Sequence, residues 1–92
     1  MPRIREAIVV EGKYDAIRVK SAVDALVVET GGFGVFHDKE RLAFLRRLAA
    51  QRGLLILTDS DGAGFVIRNY LAAAIPADQL KGARGDHLSS LT

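Results

Sequence analysis

Two tight apolar blocks, Ala7–Val10 and Leu54–Leu57, stand out along this chain, with a similar run at 25–29 between them. Each reads as a strand, and Ala7–Val10, rich in β-branched side chains, reads as one buried on both faces. Between the blocks the apolar residues change period. Ala16, Val19, Ala22 and Val23 recur at helical spacing over 13–24, which predicts a first helix. Asp38 suits the N-cap of a second helix that puts Leu42, Leu45, Leu48 and Ala49 on one face, and Gly53 stands where a helix ends. Ala63, Val66, Ile67, Tyr70, Leu71 and Ala74 predict a third helix that Pro76 stops, and 79–83 suits a short fourth strand.

Strands alternating with helices imply crossover connections and an α/β fold. The expected architecture is a mostly parallel sheet of about four strands, with three helices spread over both faces. The glycines of the loop 30–34 break the second block from the second helix. No internal repeat or linker divides residues 1–92, which read as a single domain with a loose polar tail at 84–92.

Composition narrows the possibilities. There is no cysteine, hence no disulfide framework and no thiolate metal site. No apolar run reaches the roughly 18 residues of a membrane span, and the first six residues lead into a strand instead of a signal peptide. These features predict a cytoplasmic chain with no membrane partner. The net charge of +2 suits a polyanionic partner without demanding one.

In an open parallel sheet, ligands gather outside the carboxyl ends of the strands. Glu11 directly follows the first block, and Asp59 and Asp61 follow the third. If these strands are neighbours, three carboxylates converge on one edge and repel one another. A hard divalent cation relieves that repulsion, and magnesium takes such oxygen ligands together with substrate phosphates. Bland readings exist for two of the three: Asp61 also suits the N-cap of the third helix, and Asp59 a turn. Glu11, between a buried strand and a glycine, has little structural purpose.

Other motifs fail. Glu11-Gly12-Lys13 lacks the rest of a P-loop, the Gly31–Gly34 segment is not a dinucleotide fingerprint, and Asp59-Ser60-Asp61-Gly62 lacks the remaining ligands of a calcium loop. His37 and His87 are too far apart in the chain to suggest a zinc site or a catalytic triad. Lys13 opens the first helix, where free amide groups already favour phosphate. Arg68 on the third helix, and Arg46 and Arg47 on the second, suit either a phosphate backbone or plain solvation.

The two acidic segments together resemble a known family. Val9-Val10-Glu11-Gly12-Lys13-Tyr14-Asp15 is similar to the first Toprim motif, a strand followed by E-G-x-x-D. Thr58-Asp59-Ser60-Asp61-Gly62-Ala63-Gly64 resembles the second, D-x-D-x-x-G. Toprim is a Rossmann-like catalytic domain shared by type IA and type II topoisomerases, bacterial primases and small nucleases. Within it, Val10-Glu11-Gly12-Lys13, Glu29-Thr30-Gly31-Gly32 and Thr58-Asp59 resemble ribonucleases of the M-five type, which mature ribosomal RNA. The Asp61-Gly62-Ala63-Gly64 wording is primase-like.

The resemblance implies that Asp59 and Asp61 hold magnesium, or manganese in its place. Glu11 then serves as general acid or base, or as a further ligand. Asp15, Gly62 and Gly64 complete the motifs, with Lys13, Gly12 and Arg68 available to phosphate. The implied activity is phosphodiester chemistry on nucleic acid, RNA ahead of DNA, as in endoribonuclease-like processing. The alternatives are a non-catalytic Toprim module that binds nucleic acid or a partner protein, and an isolated domain of a larger primase- or topoisomerase-like protein.

Overall fold

A computed structural model of the chain describes residues 1–31, 38–58 and 62–83, with side chains for all of these except 62–65 and 83. The expected tail at 84–92 and the glycines at 32 and 34 lie outside the described residues.

Strand β1 (Ala7–Val10) leads to helix α1 (Lys13–Ala22), strand β2 (Val27–Glu29), helix α2 (Lys39–Arg52), strand β3 (Leu54–Leu57), helix α3 (Gly62–Ala74), a single 3-10 turn (Ala77–Gln79) and strand β4 (Leu80–Ala83). The four strands form one sheet in the order β2-β1-β3-β4. Every pairing is parallel, with Ile8 opposite Val27 on one side of β1 and opposite Leu55 on the other.

The unbroken apolar blocks follow from this arrangement. Successive strand residues point to opposite faces, and both faces are covered. Ala7, Val9, Leu54 and Ile56 pack with Leu45, Leu48 and Ala49 of α2 and with Ile67 and Leu71 of α3. Ile8, Val10, Leu55 and Leu57 pack with Ala16 and Val19 of α1, and with Val23. Along the two inner strands, β1 and β3, polar residues are thereby driven off both faces and onto the two ends.

The boundaries differ from expectation where local bonds intervene. Helix α1 stops at Ala22, because Val23 is already extended and the Asp24 N–H is claimed by the Pro2 carbonyl at 2.7 Å. Asp38 caps α2 as expected, its side chain accepting the Arg41 N–H at 3.0 Å. Gly53 ends that helix at φ 81°, a region that favours glycine, and a Cβ there would meet Glu6 Cγ at 3.3 Å. Val66 departs from the predicted apolar face: it is 43% exposed, whereas Ile67 and Leu71 are fully buried. Adjacent helical residues point about 100° apart, so a stripe centred on Ile67 and Leu71 turns Val66 outward. No helix among the described residues is long and apolar enough to cross a membrane.

Lys81 of β4 donates to Glu6 Oε2 at 2.9 Å, tying the outer strand to the lead-in of β1. That bond, ahead of smaller charge effects, holds the Glu6 carboxyl below its usual value of 4.5. A lowered carboxyl stabilises the fold above the unfolded-state value and loses that contribution as pH falls through the folded value. The wild-type advantage over Lys81→Met in urea denaturation is therefore expected near neutral pH and should vanish in acid. An advantage that persists undiminished well below the lowered Glu6 value would refute this account. The effect should be small, since the Lys81 side chain is 67% exposed.

Candidate active site

Because all strands run parallel, their carboxyl ends share one edge. Strands β1 and β3 are direct neighbours with Val9 opposite Ile56. Carried two residues on, this register brings Glu11 level with Thr58, immediately before Asp59. Glu11 is half-buried, and its backbone is pinned: the Glu11 carbonyl accepts from Gly31 N–H at 3.1 Å, and the Val10 carbonyl from Thr30 N–H at 2.9 Å. Among the described residues the Glu11 carboxylate makes no hydrogen bond or ion pair. Asp59 and Asp61 lie outside the described residues, and no cluster of three metal-ligating side chains occurs within them.

The first motif closes on itself. Gly12 precedes α1, and its N–H donates to Asp15 Oδ2 at 3.3 Å, so the motif aspartate steadies the turn that carries Glu11. Lys13 is the exposed first residue of α1. Gly62 and Gly64 fall in the first turn of α3.

Two arginine braces, unforeseen from sequence, flank Glu11. Thr30 follows β2 and Thr58 follows β3, and both are buried. The Thr30 carbonyl accepts from Arg41 Nη1 of α2 at 2.8 Å. The Thr58 carbonyl accepts from Arg68 Nη2 of α3 at 3.1 Å, with the Thr58 hydroxyl 3.4 Å away. In each case the helix after the strand reaches back to hold the strand's end. Gly31, at φ 67°, turns the chain away beneath Arg41. A threonine directly after an apolar block was the available signal. The reach from Arg41 and Arg68 was not legible, because each bond spans a loop. Arg46 is likewise engaged, donating to the Ala74 carbonyl at 3.2 Å.

The Toprim domain model matches residues 6–86. Among curated proteins, the chain is similar to Ribonuclease M5 of Lactiplantibacillus plantarum, with 43% identity over 76 residues, covering 83% of this chain and 40% of that protein. It is 44% identical over 71 residues to Ribonuclease M5 of Borreliella burgdorferi, covering 77% and 38%. Against Ribonuclease M5 of Bacillus subtilis it is 42% identical over 74 residues, covering 80% and 39%. The chain thus spans about two fifths of the length of these relatives. Among solved structures, a small TOPRIM domain protein from Bacillus stearothermophilus aligns with a TM-score of 0.72 at 24% identity, over 95% of this chain and 74% of that one. That likeness concerns the fold alone.

Replacing Arg68 with Met removes the donor to the buried Thr58 carbonyl. The expected loss is about 1–3 kcal/mol of unfolding free energy by urea titration, with Arg68→Lys less affected. Stability of the Met variant within about 0.5 kcal/mol of wild type, the range of an ordinary surface change, would argue against the brace.

Proposed function

The chain belongs to the Toprim domain family, and on that premise we propose that it performs magnesium-dependent phosphodiester cleavage on cytoplasmic RNA, in the manner of an endoribonuclease. The observation that carries this reading is the parallel pairing of β1 with β3, which supports bringing Glu11 and the Asp59 segment to one edge. The ribonuclease names of the similar proteins favour RNA over DNA. Their greater length leaves selection of the natural RNA to a further domain or a partner protein.

The donor chemistry fits a hard cation. Glu11, Asp59 and Asp61 offer only carboxylate oxygens, and the chain has no cysteine to favour a softer metal. Asp59 and Asp61 would hold magnesium, or manganese in its place, with Glu11 as a further ligand or as the general acid or base. When bound, the cation would supply the charge that polarises the phosphate and steadies the leaving oxygen. Lys13, at the opening of α1, would draw the phosphate toward the edge. Arg68 would contribute through the Thr58 backbone it holds, at the root of the acidic loop. Gly12 has an extended backbone that any residue adopts, and an added Cβ would meet nothing closer than Asp15 Oδ2 at 3.9 Å. The fold does not require glycine there, so its small size serves close approach of the phosphate.

Structured RNA and DNA incubated with the chain, with magnesium and with chelator, test the activity. Cleavage should need the metal, favour RNA, and fall about a hundredfold or more in Glu11→Gln, as for loss of a general acid or base. Binding without metal-dependent cleavage on every substrate would instead mark a non-catalytic module. Magnesium titration should show weaker binding in the Asp59→Asn, Asp61→Asn double variant, and unchanged affinity would count against these ligands.

Gly12→Ala separates substrate approach from folding. Its stability should stay within about 1 kcal/mol of wild type, while kcat/KM falls about tenfold through misplacement of the phosphate. Full activity in this variant would remove Gly12 from the phosphate site.

A further inference from the structure

The opposite, amino-terminal edge of the sheet also carries organised charge. A groove of about 420 Å³ lies there, its lining including Arg3, Arg5 and Arg52 together with Ile4 and Leu26. Its three walls come from the lead-ins to three neighbouring strands. Backbone bonds lock those walls together: Ile4 N–H to the Asp24 carbonyl at 3.0 Å, Asp24 N–H to the Pro2 carbonyl at 2.7 Å, and Ala7 N–H to the Gly53 carbonyl at 3.1 Å. A second groove of about 200 Å³ shares Arg5 and Arg52 and runs on to Lys81. Arg5 and Arg52 thus stand between the two grooves.

In the second groove Lys81 pairs with Glu6, and Asp78 is a further carboxylate in the lining, so the excess of positive charge belongs to the larger groove. In the larger groove three arginines face a single carboxylate, Asp24. Asp24 pairs with Arg3 at 3.4 Å, but the two side chains are 86% and 61% exposed, so the pair is weak. Arg5 and Arg52 make no ion pair among the described residues. Arg52 sits in the last turn of α2, where the helix dipole favours a cation. That explains one arginine, but not its convergence with two from a different segment. Leu26, in the same lining, is 42% exposed, so apolar surface accompanies the arginines. Cationic and apolar groups in one lining suit a chain of phosphates that carries sugars and bases, better than a small inorganic anion.

We propose that this groove is a second contact for the polynucleotide backbone, remote from the site of chemistry. The strands between the two edges have four residues, so the edges lie about 13 Å apart. One polynucleotide can reach both. The carboxyl edge acts on a phosphodiester, and the amino edge grips a more distant stretch of the same strand through Arg5 and Arg52.

The contact rests on the nucleic-acid reading above, so it is tested by binding in chelator, apart from cleavage. Fluorescence anisotropy with a long single-stranded RNA is measured across a salt series. Arg5→Gln, Arg52→Gln should bind about tenfold more weakly, and its log–log salt slope should be shallower by about 1.4, the loss of two phosphate contacts on a single strand. Arg5→Lys, Arg52→Lys should keep the wild-type slope. Arg18→Gln, which removes an exposed charge outside both grooves, should leave it unchanged. A dinucleotide, too short to span both edges, should compete poorly for the groove. Unchanged affinity and slope in the folded Gln variant overturns the proposal while leaving the catalytic reading intact. Equal competition by inorganic phosphate and by RNA overturns it too, as a site for small anions only. Absence of any RNA binding by the wild-type chain in chelator overturns this contact, while the catalytic reading is decided separately by metal-dependent cleavage.

Discussion

The parallel pairing of β1 between β2 and β3 is the constraint on which the rest depends. A strand buried on both faces and paired on both sides has no room for a polar side chain along its length. Ala7, Ile8, Val9 and Val10 are fully buried. Polar chemistry is therefore expelled to the two ends of the strand. Parallel direction then sorts those ends, gathering every carboxyl terminus on one edge and every amino terminus on the other.

On the carboxyl edge, the need to finish each strand cleanly shapes the site. A buried strand end leaves a carbonyl that must find a donor. Thr30 and Thr58 find theirs in Arg41 and Arg68, one from each following helix. These braces do two things at once. They satisfy backbone groups that would otherwise be costly to bury, and they place fixed positive charge on either side of the strand that presents Glu11. The same economy holds in the first motif, where Asp15 steadies the Gly12 turn.

The amino edge shows the same sorting with the opposite sign. The lead-ins to the strands are stitched together by backbone bonds, and Arg3, Arg5 and Arg52 meet there beside a single carboxylate, Asp24. The groove they line carries an excess of positive charge at the amino edge. The small net charge of +2 conceals it.

Much of the fold was legible in the sequence because burial on both faces writes a plain signal. The blocks Ala7–Val10 and Leu54–Leu57 coincide with β1 and β3, and Asp38 and Gly53 cap α2 as their local chemistry required. The Toprim motifs were legible for the same reason: each is local, a strand end and the turn that follows. What the sequence could not determine was everything that depends on which strands become neighbours. The register that sets Glu11 level with Thr58, the reach of Arg41 and Arg68 back to the strand ends, the outward turn of Val66, and the meeting of Arg3, Arg5 and Arg52 were decided only by tertiary structure. Periodicity along a chain records which face of an element is buried. It carries no record of distance between residues that packing alone brings together.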